Sequence, residues 1–385
     1  MRGAGASVAG ALRFRPTVAE VDLDAIRHNA RVLKPSSAEL MAVVKGQGYG
    51  HGAVEVARAA LEAGATWLGV ALVEEGIELR EAGIGAPLLM LSEFPPGSER
   101  DALAAGITPT VYSDPGLDAL ARAGQDLDVT PRVHVKVDTG MHRVGLYPPE
   151  RVLELVRRAV GSGCVLEGLW THFAKAEDDE ETTARQLRAF LDVARELAGA
   201  GFVPRYRHAA NSAAAIRYPE AHLDLVRVGV ALYGLDPGNG LAASAGLRPA
   251  LTWRSAVSAV RRLPAGQAIS YGHTYRLERE TVVATVPVGY ADGYRRALSS
   301  RADVLIGGKR RRVAGTVTMD QLMADCGRDE AGPGDEVVLI GGQGEEEITV
   351  GELAGLAGTI DYEVVCGIGS RVPRVYRGLA PGVMG

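Results

Sequence analysis

A lysine set among four glycines is the first feature with chemical content. The run Lys45-Gly46-Gln47-Gly48-Tyr49-Gly50-His51-Gly52 follows the apolar Ala42-Val43-Val44. A lysine at the end of a buried strand loses solvation, which disfavours its charged form. A neutral amine is a nucleophile and condenses with carbonyl compounds. The glycines let a bulky group lie close to the backbone. On the bland alternative Lys45 reaches water along its aliphatic stem; the glycines, with a Tyr and a His among them, favour chemistry. Further candidates follow in Asp138-Thr139-Gly140-Met141-His142-Arg143, Trp170-Thr171-His172-Phe173 and His208-Ala209-Ala210-Asn211-Ser212, and in Arg227 with Gly229. These supply cations, imidazoles and small hydrogen-bonding groups, without clustered carboxylates. Mg²⁺-dependent and glycosidase chemistry, which need paired acids, are disfavoured. Asn211-Ser212 opens the helical run Ala213–Ile216 and offers an anion cradle; Asn211 as a plain helix cap is the simpler alternative. Cys164, Cys326 and Cys366 are far apart, which suits buried reduced thiols rather than disulfides or a metal site.

Strand ends must position these groups. Eight β-branched runs alternate with helical patterns: Leu40–Lys45, Trp67–Ala71, Pro87–Leu91, Thr108–Tyr112, Arg132–Val137, Val165–Trp170, Tyr206–Ala209 and Leu225–Val230. Eight parallel strands predict a β/α (TIM-type) barrel over residues 16–245, with its reactive groups at the C-terminal strand ends. The rival open sheet normally carries a GxGxxG turn after its first strand, and none stands there. Helices are expected over Glu150–Val160, with Val152, Leu153, Leu155, Val156, Ala159 and Val160 on one face, and over Thr182–Ala200. In the fifth strand Arg132, His134, Lys136 and Asp138 alternate with valines and should face the interior. An ordinary Lys136–Asp138 pair is one way to make that tolerable. Residues 246–385 read as a mostly-β domain with one helix, Val350–Ala357, after a boundary near Leu235–Leu247. Residues 1–15 read as a frayed extension without the apolar core of an export signal, which suggests a cytoplasmic protein. The 385 residues are 46% hydrophobic and 23% charged, with a net charge of −5. That excludes a general nucleic-acid binder, and no run is long enough to cross a membrane.

The ordered strings resemble the alanine racemases over about residues 16–376. They begin with Ala19-Glu20-Val21-Asp22-Leu23-Asp24 and Ala42-Val43-Val44-Lys45…Tyr49-Gly50-His51-Gly52. They continue through Lys136…Arg143, Thr171-His172-Phe173-Ala174, His208…Ala213 and Arg227…Gly234. Ser270-Tyr271-Gly272, Gly289-Tyr290-Ala291-Asp292-Gly293, Val317-Thr318-Met319-Asp320-Gln321 and Arg371-Val372-Pro373-Arg374 complete the series. The resemblance implies a pyridoxal 5'-phosphate enzyme that interconverts L- and D-alanine with two bases. It acts as a homodimer with shared sites and supplies D-alanine for peptidoglycan. Lys45 is then the cofactor lysine and first base. Tyr271 of the partner subunit is the second base, helped by a relay through His172 to Arg227, which faces the pyridine nitrogen. Tyr49, Asn211, Ser212, Gly229, Val230 and Ser370 belong to the cofactor site. Arg143 and the backbone of Met319 grip the substrate carboxylate, and Tyr290 lines the entrance. Lys136 is then carbamylated and holds Arg143.

The chain departs from the pattern twice. Lys45-Gly46-Gln47-Gly48-Tyr49 stands where the family usually has Lys-Ala-Asn-Ala-Tyr, and the extra glycines are expected to loosen the loop. Ser370 stands where some members carry a tyrosine near the phosphate. A decarboxylase relative would carry a late Cys-Asp pair, but Cys366 precedes Gly367; a metal-dependent aldolase would need a histidine after His273. A racemase of broader specificity and a non-catalytic carrier of the same cofactor are the remaining alternatives.

Overall fold

The structure, a computed structural model, describes residues 14–379. The chain divides into two compact units, one of Ala25–Pro249 and one joining the residues up to Asp24 to those from Ala250 onward.

The first unit is the β/α domain. Its strands are β1 (Glu39–Val43), β2 (Trp67–Val70), β3 (Leu88–Met90), β4 (Thr110–Val111), β5 (Arg132–Lys136), β6 (Val165–Trp170), β7 (Tyr206–His208) and β8 (Leu225–Val228). They form two parallel sheets, ordered β3-β2-β1-β8 and β4-β5-β6-β7. Backbone hydrogen bonds cross both seams: Met90 N–H donates to Thr108 O (3.0 Å), and Arg227 N–H donates to Ala210 O (3.0 Å). The eight strands therefore run in one cyclic order, as the alternation predicts. Strands buried on both faces read as near-continuous apolar runs, and β2 and β3 are buried throughout. The helix Val152–Gly161 buries Val152, Leu155, Val156 and Ala159, the spacing of a single stripe. Val160 falls off that stripe and is exposed, contrary to expectation.

The second unit is mostly β, as expected, but it begins earlier in the chain than a boundary at residue 246 allows. Val18–Asp22 pairs antiparallel with Leu251–Ala256 and parallel with Arg374–Arg377. This strand was expected in the barrel; its ladder partners put it in the ten-stranded sheet. Of the expected extension, residues 1–13 lie outside the described residues. Arg15 is anchored by Asp292 (2.9 Å) and by the Arg371 carbonyl (3.0 Å). A second helix, Asp361–Cys366, joins the expected Val350–Ala357. Its last residue, Cys366, is exposed, whereas Cys164 and Cys326 are buried as expected.

Candidate active site

Lys45 opens a left-handed turn at the end of β1. Gly46, Gln47 and Gly48 have φ/ψ of 62/44°, 55/46° and 59/47°, and Tyr49 has φ 50°. This conformation costs an L-residue roughly 1–2 kcal/mol and costs glycine almost nothing. The glycines therefore fit the turn that carries Lys45 rather than loosening it, and the expectation of a slack loop is corrected. Gly50 N–H donates to Gly46 O (2.9 Å) and Gly52 N–H to Gln47 O (2.8 Å). Glu75 grips the turn from outside: Oε1 accepts the Gly46 N–H (2.6 Å), while Oε2 accepts the Ala71 and Leu72 N–H groups (2.8 and 3.1 Å). The Gln47 amide donates to Glu78 (2.8 Å). Inside, the Tyr49 ring packs on Tyr233 (4.9 Å), whose hydroxyl donates to Val43 O (3.0 Å).

Arg227, on β8, is 4% exposed and lies 4.7 Å over the Trp170 ring. Its Nη2 donates to the carbonyls of Thr171 (2.8 Å) and Ala209 (3.0 Å) and meets His172 Nδ1 at 3.2 Å. Nη1 meets His208 Nδ1 at 3.1 Å. A guanidinium only donates, so both imidazoles accept through Nδ1 and carry their proton on Nε2. Burial, followed by the charge of Arg227, holds His172 and His208 well below the ordinary histidine range. Both are neutral donors at pH 7. Burial brings Arg227 itself down to about 9, so it remains a cation there.

Lys136 is 3% exposed, with Nζ 4.2 Å over the Trp170 ring. Burial, then Arg227 and Arg143, lowers it to about 7, with Asp138 opposing. An ordinary Lys136–Asp138 pair does not account for the site. Asp138 Oδ1 instead accepts the N–H groups of Gly140, Met141 and His142 (2.9, 3.1 and 3.1 Å), shaping the turn before the exposed Arg143. His134 and Lys136 are buried as the alternation predicts, whereas Arg132 is exposed at the strand's start.

Asn211 caps Ser212–Arg217 through Ala214 N–H (3.0 Å). Ser212 Oγ accepts the N–H groups of Gly229 (3.0 Å) and Ala231 (3.4 Å). The start of this helix is thus tied to the start of the 3-10 turn Val230–Tyr233, two N-terminal ends suited to an anion. A Cβ on Gly229 would stand 2.5 Å from Tyr49 Oη, so only glycine admits the phenol here.

In the second unit Tyr271 is 75% exposed, on a 3-10 turn between the short strands Ala268–Ile269 and Tyr275–Arg276. Ser270 before it has φ 63° and ψ −175°, a region essentially reserved for glycine. The strain is held from both sides: Ser270 Oγ donates to Thr316 O (2.7 Å), and Thr316 Oγ1 donates to Tyr271 O (2.9 Å). Tyr271, Tyr290 and Met319 line one cleft with Arg296 and Thr316. Ser370 is exposed beside Arg371, which pairs with Asp320 (2.8 Å).

Sequence reasoning missed Glu75 and Thr316. Glu75 is marked only as an acid in the first turn of a helix, and a carbonyl such as Thr171 O leaves no trace in residue type.

A family model described as "Alanine racemase, N-terminal domain" matches residues 21–237. One described as "Alanine racemase, C-terminal domain" matches residues 250–376. The chain is 53% identical over 370 residues to an alanine racemase of Symbiobacterium thermophilum, covering 95% of this chain and 98% of that one. It is 46% identical over 369 residues to one of Carboxydothermus hydrogenoformans, covering 94% and 100%. Among solved structures, alanine racemase from a D-cycloserine-producing Streptomyces lavendulae superposes with a TM-score of 0.91 at 43% identity, covering 96% and 99%. Alanine racemase of Bacillus anthracis with bound L-Ala-P gives 0.89 at 39%, covering 95% and 96%.

Two substitutions test the glycine geometry. Gly48→Ala places a Cβ in the left-handed turn, 3.2 Å from Ala53 N, and should lower unfolding stability by about 1–2 kcal/mol. Gly161→Ala, at a helix end with open space around it, should be neutral or stabilise by up to about 1 kcal/mol. Equal urea midpoints for the two variants would contradict the left-handed turn. Gly229→Ala should melt earlier than the parent, and Tyr49→Leu in the same chain should recover part of the loss; a melt unchanged by Gly229→Ala would place Tyr49 elsewhere.

Proposed function

The chain belongs to the alanine racemase family, whose pyridoxal-phosphate-dependent isomerases interconvert the two hands of alanine, and from that premise we propose how its residues divide the work. The observation that carries the division is Arg227, a buried cation holding two neutral imidazoles at the strand ends where Lys45 stands. The residues fit the cofactor. Lys45 is an amine on a fixed turn, Ser212 joins two helical N-termini, and Gly229 leaves room for Tyr49. Lys45 holds the cofactor, Asn211, Ser212, Gly229, Val230 and Ser370 surround its phosphate, and Tyr49 packs beside it. Arg227 would stand toward its ring nitrogen as a donor that keeps its own proton.

When bound, pyridoxal phosphate draws electrons from the substrate's Cα–H bond into its conjugated ring. Lys45 Nζ takes or returns the Cα proton on one side. Tyr271 Oη of the partner subunit does so on the other. A phenol is a weak base at neutral pH. His172 compensates, because Arg227 fixes its Nδ1 as acceptor and leaves Nε2–H to donate to the developing phenolate. Arg143 and the Met319 backbone hold the substrate carboxylate, and Tyr290 lines the approach. The enzyme is a cytoplasmic homodimer supplying D-alanine for peptidoglycan, a reading that rests on the family alone.

Lys136 carries a carbamate in this reading. An amine lowered to about 7 is largely unprotonated at pH 8, and only that form adds carbon dioxide. The negative product suits a position with Arg143, Arg227 and Lys45 in its field. ¹³C-bicarbonate should give a carbamate carbonyl resonance that is absent from Lys136→Ala; identical spectra would remove the assignment.

The division of labour is tested by complementation. Lys45→Ala and Tyr271→Phe should each be inactive in both directions. Unfolded together and refolded in equal amounts, they should form mixed dimers in about half of all pairs. One site of each mixed dimer is intact, so about a quarter of wild-type activity should return. Activity near zero, with mixed dimers present, would mean that both groups come from one chain.

A further inference from the structure

The polar contacts below Arg227 continue past His208. His208 Nε2 lies 2.9 Å from His134 Nδ1, on β5. On its far side His134 Nε2 faces Glu167 Oε2, on β6, at 3.6 Å. Both of these atoms are buried and have no hydrogen-bond partner among the described residues. Two orphaned polar atoms aimed at each other in a barrel interior call for an explanation.

We propose that Glu167 is a positioning residue for Arg227: through His134 and His208 its carboxylate fixes both imidazoles in one tautomer and supports the guanidinium as a cation. The sense of the chain follows from its ends. Arg227 only donates, so His208 accepts at Nδ1 and donates from Nε2. His134 then accepts at Nδ1 and presents Nε2–H to the carboxylate, which only accepts. Each imidazole dipole points the same way, from the cation to the anion, and the low local dielectric strengthens such aligned bonds. Burial keeps His134 below the ordinary histidine range, so it is neutral and transmits rather than neutralises. Burial tends to raise Glu167, but His134 and Arg132 outweigh it and hold the carboxyl below its usual range, ionised at neutral pH.

Two backbone features serve this contact. Gly168 stands beside His134 on β6, and a Cβ there would lie 2.3 Å from His134 Nδ1. The glycine makes room for the ring that reaches His208. The β5–β6 ladder also slips at this point: Val133 pairs with Leu166, but His134 pairs with Gly168. Glu167 is the extra residue of a bulge, a device that re-aims a side chain. Without the slip, strict alternation would turn Glu167 away from the face carrying Gly168 and Trp170. Trp67 and Tyr206 close the sides of the His134 ring at centroid distances of 5.3 and 6.2 Å.

The consequence for catalysis rests on the reading in which Arg227 faces the cofactor's ring nitrogen. Arg227 is met directly by His172 and His208, and Lys45, Lys136 and Arg143 lie in the same field. Glu167 is the anion at the other end of its hydrogen-bonded chain. Removing that acceptor should free the two imidazoles from their single tautomer and weaken their hold on Arg227.

The test begins with cofactor-free full-length protein labelled with ¹⁵N-histidine. Wild-type His134 and His208 should both show the neutral Nε2–H pattern. In Glu167→Leu, His134 should lose that preference and His208 Nε2–H should shift. Glu167→Gln, which keeps an acceptor but no charge, should retain the tautomers. With cofactor and alanine, Glu167→Gln and Glu167→Leu should lower kcat progressively, the latter by roughly tenfold, the scale on which partners of an orienting imidazole act. KM should change less. Should Glu167→Leu fail to fold, Gly168→Ala, which displaces the His134 ring, should reproduce its spectrum. Unchanged His134 and His208 signals in whichever of Glu167→Leu and Gly168→Ala folds, or an unchanged kcat in Glu167→Gln, would overturn the proposal. The spectra need no cofactor; an Arg227→Gln enzyme with wild-type turnover would defeat the ring-nitrogen reading alone.

Discussion

The guanidinium of Arg227 is buried to 4% exposure, and its hydrogen bonds go to two carbonyls and two imidazoles rather than to a carboxylate. A buried charge is tolerated only where it is surrounded by acceptors. Thr171 and Ala209 turn their carbonyls inward at the ends of β6 and β7, and the Trp170 ring offers its face. Once the cation is in place its neighbours have little freedom. His172 and His208 must accept from it, and neither can be protonated beside it. Lys136, in the same field, is pressed toward neutrality. Burial first, and then the positive group at this one position, lowers the proton affinity of the polar interior around it.

Rigid backbone is the second theme, and it recurs at both candidate bases. Lys45 leads a turn of left-handed residues, and Tyr271 follows Ser270 in a glycine-type conformation. Such conformations cost about 1–3 kcal/mol each and persist where the surroundings over-determine them. Glu75 clamps the first by accepting three backbone N–H groups. The exchange of side-chain-to-carbonyl bonds between Ser270–Tyr271 and Thr316 clamps the second. Both devices fix the backbone that carries the candidate base.

The barrel was legible because parallel strands buried on both faces announce themselves as apolar runs, and all eight lie where those runs predict. Lys45, His172, Arg227 and Ser212 were legible for the same reason: strand ends are countable. What the residues alone did not disclose is conformational. Gly46 and Gly48 look like slack in the sequence, and only the sign of φ reveals them as the natural occupants of a left-handed turn. Val18–Asp22 sits beside the barrel in sequence, but its ladder belongs to the other unit, a long-range pairing that local pattern cannot express. Glu167 was invisible because alternation places it on the outer face, and the bulge that overrides alternation leaves no residue-type mark.

Charge balance joins the site to the rest of the molecule. The chain as a whole carries −5, yet Lys45, Lys136, Arg143 and Arg227 share one field at the barrel's strand ends. Asp138, which acts on Lys136 through its charge, spends one oxygen on three backbone N–H groups. A cationic mouth in a chain of net negative charge draws anions to that one place. Each ligand group that the family's reaction requires, a phosphate and an amino-acid carboxylate, is an anion. So is the carbamate that would answer Lys136. Burial first, and then the charge of Arg227, keeps the imidazoles here neutral. His172 is therefore left with its Nε2–H to donate, and the cation behind it supplies the field without moving a proton.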